Sequence, residues 1–127
     1  MGIEERILLG FSDLTTERYC VVIPVFNHDQ NIESLVQEVT NYELSCFLID
    51  DGSNNQCKAN LSEVVARNWP VDLITLQVNQ GKGVAVTTGL KQAFERGYSH
   101  AIQIDADAQH STKDIPRFLA RQRMNLT

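Results

Sequence analysis

Long apolar runs, a surplus of basic charge and paired cysteines are all missing from this sequence, and each absence removes a class of function. No apolar run approaches the roughly 18 residues of a bilayer-crossing helix. The N-terminus, with Glu4, Glu5 and Asp13, lacks the basic head and apolar middle of a signal peptide. The expectation is a chain without a membrane span, any membrane contact lying outside it. The three cysteines, Cys20, Cys46 and Cys57, form no C-x-x-C pair and have no metal-ligand spacing. They read as reduced thiols of a cytoplasmic protein. Lys and Arg number 11 against 16 Asp and Glu, giving a net charge of −5, and the basic residues are dispersed. Nucleic-acid binding needs them clustered, so it is excluded. What remains, with 43% hydrophobic residues over 127 positions, suits a single globular core.

Along the chain, strand-like and helix-like patterns alternate. Residues 1–18 form a lead-in that reads equally as a short amphipathic helix or an ordered arm. Cys20 to Phe26 is an unbroken apolar run of β-branched character, as a parallel strand covered on both faces requires. Pro24 belongs near its end, because proline cannot donate to a ladder. Asp29 is expected to cap a helix with Ile32, Leu35, Val36 and Val39 at helical spacing. Leu44 to Ile49 is a second strand, running into an acidic turn at Asp50-Asp51-Gly52-Ser53. A helix through Leu61, Val64 and Val65 should stop before Trp69-Pro70. A third strand, Val71 to Val78, leads through Asn79-Gln80-Gly81-Lys82-Gly83 to a helix expected to face Val86, Leu90, Ala93 and Phe94 inward until Gly97. Ala101 to Ile104 is the fourth strand, and Asp114 is expected to cap a final helix with Ile115, Phe118 and Leu119 inside. Such a succession implies an α/β fold, a parallel Rossmann-like sheet flanked by helices.

Ligands of these sheets bind at the carboxyl ends of the strands, where every chemically suggestive stretch falls. After the fourth strand comes Asp105-Ala106-Asp107-Ala108-Gln109-His110. If the chain stays extended there, Asp105, Asp107 and Gln109 share one face. Two carboxylates and an amide suit Mg²⁺ or Mn²⁺ completed by substrate phosphates, although a solvated acidic turn would look the same. Asp51 either accepts from a ribose hydroxyl or base N–H, or stabilises its own turn. Lys82, between two glycines, either approaches a phosphate or is a solvated lysine at a helix start. His110 either reaches the metal or a phosphate or takes a capping or supporting role, the latter being the expectation, and His28 and His100 are assigned none.

Taken together, Val21 to Asn27, Leu48 to Ser53, Asn79 to Ala85 and Asp105 to His110 resemble the successive motifs of family 2 glycosyltransferases. Within that family they are most similar to the dolichyl-phosphate mannosyltransferase-like, polyprenyl-phosphate branch. The resemblance covers Cys20 to about Phe118. It implies a GT-A fold that binds a UDP- or GDP-linked sugar. Pro24, Val25 and Phe26 would border the base, and Asp51 would bind base or ribose. Asp105, Ala106 and Asp107 would form the D-x-D segment against diphosphate and metal, with Gln109 as third ligand. Ala108 departs slightly from the family pattern. Members continue well beyond Thr127, so residues 19–127 are expected to be the donor-binding part of a longer domain, whose parent acts at the cytoplasmic membrane face.

The leading expectation is therefore an inverting, metal-dependent glycosyltransferase with a polyprenyl phosphate acceptor. A nucleotide-sugar-binding module without turnover of its own is the alternative. A phosphoacceptor receiver would need its acidic pair after the first strand, where this chain has Pro24-Val25-Phe26-Asn27. An incomplete sheet would leave an open edge, so a homo-oligomer is also among the expected states.

Overall fold

The computed structural model describes residues 17–68, 70–107 and 123–126. Most of the lead-in, Trp69, and the helix expected after Asp114 lie outside the described residues. Five strands, β1 (Tyr19–Val25), β2 (Ser45–Asp51), β3 (Val71–Leu76), β4 (His100–Gln103) and β5 (Arg123–Asn125), form one sheet in the order β3-β2-β1-β4-β5. The first four run parallel, and β5 runs antiparallel to β4. Three helices, α1 (Ile32–Asn41), α2 (Asn55–Arg67) and α3 (Lys82–Glu95), make the crossovers. The order steps outward from β1 to β3 and then returns to the far side of β1, so the topological switch lies between β1 and β4. A crevice at the carboxyl ends is expected there.

The unbroken apolar run of β1 has a direct cause in packing. Val21, Ile23 and Val25 join Ile32, Val36 and Leu61 in the core under α1 and α2. Cys20 and Val22 join Phe47, Ile49, Ala85 and Ala93 in the core under α3. Both faces of the strand are therefore buried, and alternation with polar residues would cost stability on one of them. Pro24 stands in register with Ile49 of β2. Val22 accepts from the Ile104 N–H on the β4 side, and the last β1–β4 pair is Val22 with Gln103. The missing N–H of Pro24 faces that same side, past the last pair, where no ladder bond is lost.

Several boundaries and faces differ from the sequence expectation. Asn31, not Asp29, precedes α1, and it makes no side-chain cap bond. The Asp29 carboxylate instead accepts from the Asn60 amide on α2, which takes it away from the first turn. The inner face of α3 is Ala85, Gly89 and Ala93, while Phe94 is 55% exposed. The reason is close approach: a Cβ on Gly89 would stand 2.5 Å from Val22 Cγ1 and 3.1 Å from Ile49 side-chain carbons. With the backbone that near the sheet, only small side chains fit the contact stripe; Val86 and Leu90 are partly buried and Phe94 turns outward. β3 ends at Leu76 rather than Val78. β5 (Arg123–Asn125) was not anticipated. Its pairing covers the β4 edge of the sheet, leaving β3 as the outer strand opposite.

All three cysteines are unpaired and buried. Burial pushes the Cys20 thiol up to about 12 against the opposing Arg18 charge, and it raises Cys46 and Cys57 as well. Among the described residues, no helix is long and apolar enough to cross a membrane.

Candidate functional site

The carboxyl ends of the strands converge on a cleft of about 320 Å³. One wall comes from β1 and the residues after it: Pro24, Val25, Phe26 and His28. The floor comes from Asp51 and Asn79, and the other wall from Gly81, Lys82, Asp105, Ala106 and Asp107. Pro24 and Val25 are buried, whereas the Phe26 ring is nearly half exposed at the mouth, a flat apolar surface suited to stacking.

The Phe26 wall is fixed by hydrogen bonds that reach across to β2. Asn27 adopts a positive φ of 59°, a conformation asparagine tolerates better than most residues. Its N–H donates to Ser53 Oγ at 3.0 Å, and its Oδ1 accepts from the Asn54 N–H at 2.9 Å. Ser53 in turn donates its N–H to Asp50 Oδ1 at 2.9 Å. Asp50 is buried, and its second oxygen pairs with Lys58 Nζ at 3.0 Å. A charge taken out of water is tolerable only when paired and hydrogen-bonded in this way.

Asp50 and Asp51, expected in a turn, are the last two residues of β2, so they point to opposite faces. Asp51 is 3% exposed. Its Oδ1 accepts from the Gln80 N–H at 2.8 Å, and its Oδ2 from the Gly81 N–H at 3.0 Å and Asn79 Nδ2 at 3.1 Å. Gly81 is the N-cap of α3, so the carboxylate stands at the positive end of that helix. Gly52, at φ 72°, brings the next peptide so close that a Cβ there would land on the Asn79 nitrogen. Asp51 therefore braces the segment leading to Lys82 and also lines the cleft.

Lys82 opens α3, and its Nζ lies 2.7 Å from Asp105 Oδ1. The same oxygen accepts from Gln103 Nε2 at 2.6 Å. Ala106 and Asp107 form a turn instead of continuing the strand. The alternating-face argument thus fails beyond Asp105, because β4 has no ladder partner left to keep it extended. The two aspartates still line one cleft. Gln109, with Ala108 and His110, lies outside the described residues.

Among the described residues, no group of three His, Cys, Asp or Glu side chains is placed to hold a metal ion. Two carboxylates on one wall, beside the start of a helix and a lysine, fit a hard divalent cation that takes further ligands from a diphosphate. His28 and Asn79 also line the cleft. His28 was passed over because it stands in no cluster; its place directly after a strand end was the available signal.

Comparison with known proteins identifies the family and the fold. Residues 20–125 match the model of glycosyl transferase family 2. A UDP-N-acetylglucosamine–dolichyl-phosphate N-acetylglucosaminyltransferase of Methanococcus voltae is 30% identical over 112 residues, covering 78% of this chain and 45% of the relative. A polyprenol monophosphomannose synthase of Mycolicibacterium smegmatis is 29% identical over 107 residues, covering 82% and 40%. Among solved structures, a mannosyltransferase of Pyrobaculum calidifontis, in complex with GDP-Man and Mn²⁺, superposes with a TM-score of 0.67 at 20% identity, covering 85% and 33%. Glucosyl-3-phosphoglycerate synthase of Mycobacterium tuberculosis, with Mn²⁺ and UDP-glucose, gives 0.66 at 16% identity, covering 86% and 40%. The chain spans less than half the length of each of these four proteins. With the family model matched over nearly the whole chain and the GT-A architecture in place, this protein belongs to glycosyl transferase family 2.

Proposed function

We propose that this chain forms the donor site of an inverting glycosyltransferase that takes a UDP- or GDP-linked sugar with Mg²⁺ or Mn²⁺ and passes the sugar to a polyprenyl phosphate. The observation that carries the reading is the convergence of all four sequence motifs on one cleft with an apolar mouth and a charged wall. Pro24, Val25 and Phe26 receive the base, and Asp51 takes a base or ribose donor through its remaining lone pair. Lys82 faces the phosphates, with Asp105, Ala106 and Asp107 beside them and Gln109 completing the set. A divalent ion held there offsets charge on the departing nucleoside diphosphate. The acceptor class rests on the names of the two sequence relatives, which specify dolichyl phosphate and polyprenol. Because the chain spans less than half of each relative, turnover is proposed for the whole protein and donor binding for these residues.

Calorimetric titration of the purified chain with UDP and GDP, with and without Mn²⁺ or Mg²⁺, tests the proposal. Saturable binding of at least one nucleotide, strengthened by metal, is expected. Failure of both to bind at millimolar concentration with either metal overturns it.

A further inference from the structure

Building on that donor-site reading, we infer that Lys82 is a tethered counter-ion of the metal site. It holds Asp105 while the cleft is free of donor and transfers to the diphosphate when metal and nucleotide enter together. Three observations support the exchange. First, the Lys82 ammonium sits 2.7 Å from Asp105 Oδ1, an oxygen that also accepts from Gln103. A cation approaching that oxygen must displace the ammonium, since the two repel at a shared ligand. Second, the root of Lys82 is fixed and its stem is exposed. Asp51 grips the two preceding N–H groups, while the Lys82 side chain is 59% exposed on a flexible four-carbon stem. Third, among the described residues the cleft is lined by the carboxylates Asp51, Asp105 and Asp107 against the ammonium of Lys82. Metal entering alone would force Lys82 off Asp105 without bringing a new anion into the cleft. A diphosphate arriving with it supplies one.

The exchange makes metal and diphosphate binding mutually supportive, and by linkage the support is reciprocal. Removing the ammonium should therefore change the two affinities in opposite directions. The test compares the parent chain with Lys82→Gln by electron paramagnetic resonance of free Mn²⁺, with and without UDP or GDP. An ion pair this exposed contributes modestly, so Lys82→Gln should bind Mn²⁺ alone about two- to fivefold more tightly. It should bind the Mn²⁺–nucleotide pair about tenfold more weakly, having lost a charged contact to phosphate. Mn²⁺ affinity in the absence of nucleotide that is unchanged or reduced overturns the exchange.

Asp105→Asn separates this inference from the reading beneath it. If that variant loses Mn²⁺–nucleotide binding while Lys82→Gln leaves Mn²⁺ affinity unchanged, the donor site stands and the counter-ion role falls. If Asp105→Asn binds like the parent, both fall. Both side chains are substantially exposed, so neither substitution removes core packing.

Discussion

Replacing Gly89 with alanine should destabilise the protein, although alanine is the better helix former. Gly89 lies within α3, and the added Cβ would stand 2.5 Å from Val22 Cγ1 and 3.1 Å from Ile49 carbons. Both neighbours are fully buried on the adjacent inner strands β1 and β2, where close packing leaves little room to retreat. Overpacking of this kind costs about 1–3 kcal/mol, and the helix propensity gained returns at most about 1 kcal/mol. Crowding wins, with a net loss of about 1 kcal/mol. Gly83, in the first turn of the same helix, supplies the control, because a Cβ there meets nothing within 4 Å. Gly83→Ala should gain about 0.4–1 kcal/mol by restricting the unfolded chain. Urea unfolding followed by far-ultraviolet circular dichroism reads both. With a slope of about 2 kcal/mol per molar, the Gly89→Ala midpoint should fall by about 0.5 M and that of Gly83→Ala should rise. A Gly89→Ala midpoint at or above the parent value refutes the close-approach account of α3.

Asp107→Asn should cut metal-dependent nucleotide affinity about tenfold at an unchanged melting temperature, because Asp107 is exposed in a turn; calorimetry and thermal unfolding measure the two. Asp51→Ala should weaken nucleoside and nucleoside diphosphate binding alike. It should also lower stability by about 1–3 kcal/mol, since the Gln80 and Gly81 N–H groups lose their acceptor while Asn79 Nδ2 keeps the Asp51 carbonyl; a parent-like melting temperature would contradict the bracing role. The raised thiols make stability fall with alkaline pH. The native state keeps a proton on Cys20 up to about 12, whereas an unfolded thiol loses it near about 8.5, so stability is fully present below that lower value and declines between the two. The decline should be shallower in Cys20→Ala; equal slopes in urea titrations across this range would refute the assignment.

How much was readable beforehand depended on which force set each feature. The central strands were legible because burial on both faces demands continuous apolar residues, as in Cys20–Val25. The face of α3 was not, because apolar periodicity favours Leu90 and Phe94 while backbone approach at Gly89 selects small residues. β5 consists of Arg123, Met124 and Asn125, without β-branched residues or a readable alternation; pairing with β4 defines it as a strand. In the site, the four motifs were visible as clusters at strand ends. The division of labour between Asp50 and Asp51 was not, since adjacent carboxylates differ only in which face of β2 they take. His28 lines the cleft because it follows the end of β1, a positional signal that carries no cluster of partners to single it out.

The strand order has a consequence for how the protein is made. β1 pairs on one side with β2, which follows soon after it, and on the other with β4, where Tyr19 meets His100. At about 5–20 residues per second, the roughly 80 intervening residues take on the order of 4–16 s to synthesise. Throughout that interval the β4-facing edge of β1 has no partner, and it is an apolar edge of the kind that recruits foreign strands. A chain emerging from the ribosome thus carries its Phe26 wall well before the segment bearing Asp105. A holding chaperone acting on the nascent chain during that interval would meet Cys20, Val21 and Val22 before β4 pairs with them.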